Sequence, residues 1–172
     1  MAKVGLFYGT ETGNTRKVGK MIAKEFGGDD VVKLHSTAKA TAEDIGQYDS
    51  LIFGMPTLGD GEMENSFKAF MEQQLGSVDL SGKTVALYGL GDQNGYGHEF
   101  LDGMAFVYEK VKTKGAKIVG SWSTEGYEFT KSKALLDDDN FFCLAIDEDN
   151  QSDETKSRVK QWVAQIRGDF GV

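Results

Sequence analysis

The chain has 172 residues, enough for one domain with its own hydrophobic core but few for two. Its formal net charge of −8 and sequence pI of about 4.8 argue against binding to nucleic acid or to an anionic membrane, since both need a basic surface. The charge favours a basic protein partner.

The single cysteine, Cys143, excludes an internal disulfide, a CxxC redox pair and a thiolate-bound iron–sulfur cluster within one chain. It lies in an apolar run, so we expect a buried thiol. The N-terminus shows no signal-peptide profile, and no apolar run approaches the length of a membrane span. We therefore expect a cytoplasmic protein without membrane insertion.

Short apolar strands alternate with amphipathic helices, which predicts a parallel sheet covered on both faces. The predicted strands are Val4–Tyr8, Val31–Leu34, Leu51–Gly54, Thr84–Gly89 and a fifth in two pieces, Lys117–Gly120 and Phe141–Ile146. The predicted helices are Thr15–Phe26, Ala42–Ile45, Ser66–Leu75, Glu99–Lys114 and Asp153–Arg167. The expected fold class is α/β: one domain, residues 1–172, with a doubly wound five-stranded parallel sheet in three layers and a long insertion, Ser121–Asn140, in the fifth strand.

The turn after the first strand, Gly9–Thr15, leads directly into a helix. Its backbone N–H groups, threonine hydroxyls and helix N-terminus can surround a phosphate without a lysine. Asn14 stands where a Walker motif would carry its lysine, which argues against nucleoside triphosphate hydrolysis. A capped helix start with no ligand remains the alternative.

The turns after the third and fourth strands, Met55–Glu62 and Leu90–Gly97, each place one bulky side chain among glycines and acids. Leu58 and Tyr96 could hold a flat ring between them. A dinucleotide fingerprint is incomplete, because Asn94 replaces its third glycine. Two plain surface turns are the alternative.

Five segments together resemble one family. They are Gly5–Thr15, Gly54–Gly59, Gly89–Gln93, Trp122–Tyr127 and Asp147–Gln151. In this order and spacing the sequence resembles long-chain flavodoxins over essentially its whole length, and the split fifth strand is typical of that class.

The resemblance implies a flavodoxin-like fold and a low-potential one-electron carrier, not an enzyme. It implies a non-covalently bound flavin mononucleotide (FMN) that shuttles between quinone, semiquinone and hydroquinone states. The implied phosphate-binding residues are Thr10, Glu11, Thr12, Gly13, Asn14 and Thr15. The implied ring-binding residues are Pro56, Thr57, Leu58, Gly59 and Asp60 on one side, and Leu90, Gly91, Asp92, Tyr96 and Gly97 on the other. Asp149 matches an acid near the ribityl chain, and no residue is expected to bind metal or act as a catalytic group.

The resemblance also implies how the potentials are set and which partners dock. The Gly59–Asp60 peptide would accept a hydrogen bond from flavin N5 after the first electron, and the acids Asp60, Glu62, Glu64 and Asp92 would oppose the second negative charge. Leu58 stands where many relatives carry tryptophan, which predicts weaker binding of the ring. The implied partners are basic redox proteins such as ferredoxin–NADP reductase, photosystem I or nitrogenase reductase, and the expected state is a monomer.

Two other classes of protein share this predicted fold. A response-regulator receiver domain needs paired acids after the first strand and an aspartate ending the third, but Gly9-Thr10 and Gly54-Met55 stand there. An FMN-dependent reductase would need a nicotinamide pocket, which is not apparent. The two histidines, His35 and His98, lack the spacing of a metal site or triad and are expected to be ordinary surface residues.

Overall fold

The computed structural model describes residues 2–10 and 12–172. Its strands are β1 Val4–Tyr8, β2 Val32–Ser36, β3 Ser50–Leu58, β4 Glu62–Met63, β5 Thr84–Leu90, β6 Lys117–Val119, β7 Trp122–Ser123, β8 Asn140–Phe141 and β9 Leu144–Ile146. Its α-helices are α1 Asn14–Phe26, α2 Ala42–Gly46, α3 Asn65–Gln73, α4 Met104–Thr113 and α5 Ser152–Phe170, and a 3₁₀ turn spans Leu75–Ser77.

The central sheet is parallel, in the order β2-β1-β3-β5, and its fifth position is shared by two short strands. β6 pairs with the beginning of β5 and β9 with its end. The chain between them forms a small antiparallel sheet from β7 and β8. Right-handed crossover connections of this kind place helices on both faces of the sheet, which gives the predicted doubly wound α/β fold.

The two faces carry separate hydrophobic cores. On one face, Val18 and Ile22 of α1 pack with Val159 and Trp162 of α5. On the other face, α3 and α4 pack against the sheet together with buried aromatic residues such as Phe53. Cys143 is a buried free thiol in this second core, as expected. Within the described ranges, no helix is both long and apolar enough to cross a membrane.

Two predicted helix boundaries were wrong by three residues or more, because tertiary packing overrides local periodicity, and the others differ by at most two residues. The predicted helix Glu99–Lys114 begins at Met104, since Leu101 has a φ of 61° that breaks a helix, and its side chain is fully buried in the core. The predicted helix end at Arg167 is extended to Phe170, whose ring stacks on Phe26 at 6.0 Å.

The largest differences among the strands are in two places, and β2 also ends at Ser36 and not at the predicted Leu34. The predicted piece Phe141–Ile146 divides, because Phe141 pairs with Trp122 in the small sheet and only β9 joins the central sheet. β3 continues beyond Gly54 to Leu58, where it turns into a hairpin with β4. That hairpin is the turn for which a ring-binding role is predicted.

Candidate functional site

A cleft of about 380 Å³ opens at the carboxyl ends of β1, β3 and β5, where an open parallel sheet binds its ligands. It is lined by Thr12, Asn14, Thr15, Pro56, Thr57, Leu58, Gly59, Leu90, Gly91, Asp92, Tyr96, Glu148 and Asp149. The three loops singled out from the sequence therefore meet at one place, together with the loop that follows β9.

Most of the predicted site residues line this cleft, but some do not. Thr10, Gly13, Asp60 and Gly97 belong to the same loops yet lie outside the lining, and Glu11 falls outside the described residues. Glu148 lines the cleft although the sequence reasoning passed over it. Its position beside Asp149, in the run Asp147–Asn150, was the available signal.

The first loop presents unused backbone donors to the cleft. Gly13 takes a left-handed conformation, with φ of 91°, and its N–H donates to the Thr10 hydroxyl at 2.8 Å. Gly13 is the N-cap of α1 but has no side chain, so no side-chain acceptor caps this helix start in the described part of the chain. The first N–H groups of α1 are thus available to an anion.

A hydrogen bond from the central sheet holds the start of α1 in place. Thr15 is buried, and its carbonyl accepts a hydrogen bond of 2.9 Å from the hydroxyl of Tyr88, which lies on β5 and is itself fully buried. The Tyr88 ring lies directly against the backbone of Gly54 on β3. The position of the anion-binding turn therefore depends on the packing of two central strands.

The two bulky side chains that were predicted to hold a ring both line the cleft. Leu58 is half-buried at the end of β3, and Tyr96 leaves 47% of its surface exposed, which is unusual for a large aromatic side chain. The hairpin after Leu58 contains Gly59 with a φ of 44° and Gly61 with a φ of 89°. Only glycine adopts such conformations without strain.

A hydrogen-bond network holds the loop after β5. The Asp92 carboxylate accepts from the N–H groups of Gly95 at 2.7 Å and Asn94 at 3.1 Å, and from the Asn150 side chain at 2.8 Å. These bonds, chiefly the one from Gly95, lower the pKa of Asp92. The loop is therefore held in place by hydrogen bonds within the protein.

Asp149 lies close to other acidic side chains. Its carboxylate has an oxygen within 4.8 Å of oxygens of Asp92 and Asp147. Burial, followed by repulsion from these two acids and Glu148, raises the pKa of Asp149. The cleft thus concentrates negative charge around Asp149.

The acids near the ring-binding hairpin differ in their exposure to solvent. Asp60 and Glu62 are exposed, as expected for a charged rim. Glu64 is buried instead, and its carboxylate caps α3 by accepting from the N–H groups of Ser66 at 3.0 Å and Phe67 at 2.8 Å. Glu64, which was predicted to act together with Asp60 and Glu62, is therefore not part of their exposed charged rim.

Neither histidine lines the cleft. His98 is exposed, as expected. His35 is not an ordinary surface residue, since it stacks on Phe7 at 4.6 Å and shares a hydrogen bond of 2.8 Å with the Tyr48 hydroxyl. Burial lowers the pKa of His35, which indicates a packing role on β2.

Fold and cleft together define a doubly wound α/β domain built to hold a flat ligand with an anionic group at one end. The flavodoxin family model matches residues 6–162. The flavodoxin of Synechococcus elongatus is 46% identical over 172 residues, all of both chains, and flavodoxin 1 of Escherichia coli K12 is 45% identical over 166 residues, 96% of this chain and 93% of that one. The crystal structure of Fusobacterium nucleatum flavodoxin bound to flavin mononucleotide superposes with a TM-score of 0.90, at 31% identity, over 99% of each chain. The chain belongs to the flavodoxin family.

Proposed function

We propose that this protein binds FMN non-covalently in the cleft and carries single electrons between larger redox proteins. The observation that supports this most directly is the cleft itself, which combines an uncapped helix start at one end with an exposed tyrosine ring at the other. A phosphate fits the first feature and an isoalloxazine ring the second. The FMN-bound relative with a TM-score of 0.90 has the same fold.

The residues that would hold FMN divide by chemistry. Thr12, Asn14 and Thr15 would bind the phosphate with hydroxyl and backbone N–H groups. Leu58 and Tyr96 would cover the two faces of the ring. The remaining predicted contacts are Thr10, Glu11, Gly13, Pro56, Thr57, Gly59, Asp60, Leu90, Gly91, Asp92, Gly97 and Asp149, and to these we add Glu148 because it lines the cleft.

When bound, FMN supplies reversible one-electron chemistry, and the protein tunes it by hydrogen bonds and charge. The Gly59–Asp60 peptide lies in a glycine turn that can present its carbonyl to flavin N5 at little cost, which favours uptake of the first electron. Asp60, Glu62 and Asp92 oppose further negative charge in the cleft, which lowers the second potential. We do not include Glu64 in this effect, because its carboxylate accepts hydrogen bonds from the start of α3.

Several narrower properties are also part of the proposal. We assign the chain to the long-chain class, and the support for this is the predicted insertion Ser121–Asn140, which lies in the stretch between β6 and β9. We propose one domain, a monomer that turns over no substrate of its own, and a cytoplasmic location in which the buried Cys143 thiol stays reduced. The exposed acids Asp60 and Glu62 suit docking to basic partners such as ferredoxin–NADP reductase, photosystem I or nitrogenase reductase.

The test is an anaerobic, stepwise dithionite titration of the purified holoprotein, followed by absorbance from the near ultraviolet to the red. We expect a yellow protein that turns blue and then pale, with no steady oxidation of NADPH by the protein alone. Direct bleaching with NADPH oxidation would indicate a two-electron reductase. A colourless protein that cannot be reconstituted with FMN would contradict the proposal altogether.

A further inference from the structure

The exposed face of α1 carries a concentration of positive charge in an acidic protein. Its members are Arg16, Lys17, Lys20 and Lys24, and no acid occurs between Asn14 and Lys24. All four side chains are exposed, whereas the protein as a whole has a net charge of −8. We call these four residues the capture patch.

The capture patch adjoins the proposed phosphate site. Its side chains border a shallow groove of about 370 Å³ that reaches Gly13. The chain neighbours of Gly13, Thr12 and Asn14, line the cleft that would hold FMN. An anion in this groove therefore lies next to the turn that must finally bind the phosphate.

Lys17 differs from the other members of the patch. Its ammonium group pairs with the Glu148 carboxylate at 3.1 Å, and the Thr155 hydroxyl donates to the same carboxylate at 2.7 Å. Arg16 and Lys20 have no carboxylate partner of this kind among the residues that the structure describes. In the described part of the chain no carboxylate lies within ion-pair distance of either cation, although Asp29 borders one groove with both, and both side chains are exposed to solvent.

The phosphate turn itself contains no lysine or arginine, and its sequence includes Glu11. A phosphate dianion that approaches an acidic protein meets repulsion, and hydrogen-bond donors from the backbone act only at contact. Charges several ångströms outside the turn act at longer range, because an electrostatic field extends over about 10 Å at moderate salt. Such charges raise association rates rather than the strength of the final contacts.

Resting on the proposed function, we propose that the capture patch attracts the FMN phosphate and delivers it to the α1 N-terminus. Arg16 and Lys20 raise the rate of FMN association and make it fall with salt. They do not hold the bound cofactor, so the dissociation rate does not depend on them.

The experiment compares two doubly substituted proteins with the same change in charge. The test variant is Arg16→Gln/Lys20→Gln. The control is Lys112→Gln/Lys117→Gln, whose exposed residues lie at the end of α4 and the start of β6, at the opposite end of the sheet from the cleft. Each full-length apoprotein is mixed with FMN or with riboflavin, which lacks the phosphate, and quenching of flavin fluorescence is followed by stopped flow.

At about 0.01 M salt, where the Debye length is about 30 Å, we expect the test variant to bind FMN roughly tenfold more slowly than the unsubstituted protein. The control variant should bind FMN at close to the original rate. Riboflavin association should be the same in all three proteins. At about 1 M salt, where the Debye length is about 3 Å, the difference in FMN association should disappear.

Equal FMN association rates in the test variant and the original protein would overturn the inference while leaving FMN binding intact. An equal slowing for riboflavin would also overturn it, because the effect would then come from altered structure and not from the phosphate charge. A change confined to FMN dissociation would assign the two cations to the bound state instead. Failure of the unsubstituted protein to quench FMN would overturn the proposed function and this inference with it.

Discussion

The side-chain amide of Gln93 donates a hydrogen bond of 2.7 Å to the fully buried carboxylate of Asp147. The side-chain carbonyl oxygen of Gln93 accepts a hydrogen bond from the backbone N–H of Glu128. One side chain therefore joins the segments around residues 93, 128 and 147. Asp147 also accepts from the backbone and side chain of Asn150. The loop that carries Asp92 and the segment between β6 and β9 are thus fastened to the same buried carboxylate.

Substituting Gln93→Leu should destabilise the protein by about 1–3 kcal/mol, because it removes the shortest of three hydrogen bonds to one oxygen of the buried Asp147 carboxylate and takes the side-chain acceptor away from the Glu128 N–H. Urea unfolding of the apoprotein measures this loss. The matched control is Gln161→Leu, since Gln161 is exposed and bonds only to the Ser157 hydroxyl on the same helix. Its effect should lie within about 0.5 kcal/mol, and equal losses in both variants would contradict a special role for Gln93.

A second prediction concerns the close packing of Gly54 on Tyr88. A Cβ added at Gly54 would lie 2.1 Å from Cε1 of the Tyr88 ring, so Gly54→Ala should force the ring to move at a cost of about 1–3 kcal/mol. Because the Tyr88 hydroxyl supports the Thr15 carbonyl, FMN binding should weaken as well. Gly46→Ala is the control, since a Cβ there meets nothing within 4 Å. Fluorescence titration with FMN and urea unfolding measure the two effects, and a Gly54→Ala protein indistinguishable from the control would refute the coupling.

The alternation of strands and helices, the parallel sheet and the meeting of three loops could be predicted from sequence, because apolar periodicity and glycine-rich turns are local signals. The end of the third strand and the start of α4 could not. Leu101 has a positive φ, which is incompatible with a helix, and its side chain is buried in the core. β3 continues through Pro56 because it pairs with β5 as far as Leu90. Each outcome depends on a neighbour that is remote in sequence.

The candidate site likewise contains residues that local sequence signals identified and residues that they did not. Thr12, Leu58 and Tyr96 were found from the composition of their loops, and they line the cleft. Glu148 was missed because the acidic run marks the region but does not indicate which of its carboxylates face the cleft. Glu64 was misplaced because its role as a helix cap depends on where α3 begins.

A third prediction concerns Leu58, which lines the cleft with an aliphatic side chain where Tyr96 offers an aromatic one. Leu58→Trp should tighten FMN binding about two- to tenfold, since stacking contributes about 0.5–1.5 kcal/mol beyond buried area. Fluorescence titration of the apoprotein measures the dissociation constant. Leu136→Trp adds the same side chain at a position that is 50% exposed and outside the cleft lining, and it should leave FMN affinity unchanged. An unchanged dissociation constant for Leu58→Trp would show that the leucine face is already well filled.

A fourth prediction concerns the turn at Gly59. Gly59→Ala should shift the first reduction potential by on the order of tens of millivolts, because an alanine at positive φ is strained by about 1–3 kcal/mol and this strain changes when the Gly59–Asp60 peptide rearranges. A Cβ at Gly59 meets no protein atom within 4 Å, so the substitution creates no clash within the protein itself. Gly171→Ala imposes similar strain, at φ of 69°, near the C-terminus and should not change the potential. Spectroelectrochemistry of both holoproteins decides the matter, and equal first potentials would exclude the peptide from tuning.

The last prediction concerns pH and rests on Asp149. Its pKa is raised above the ordinary value of 3.8 by burial and by Asp92, Asp147 and Glu148, so the folded apoprotein binds this proton more tightly than the unfolded chain does. Its ionisation therefore costs stability as the pH rises through the folded pKa, and that cost is absent below pH 3.8. Asp149→Asn should raise the urea midpoint at pH 7, and the gain should shrink as the pH falls. Asp138→Asn makes the same change of charge at an exposed position outside the cleft and should lack this pH dependence. A gain for Asp149→Asn that is constant from pH 7 to pH 4 would mean that general charge reduction, and not the crowding of acids in the cleft, stabilises the variant.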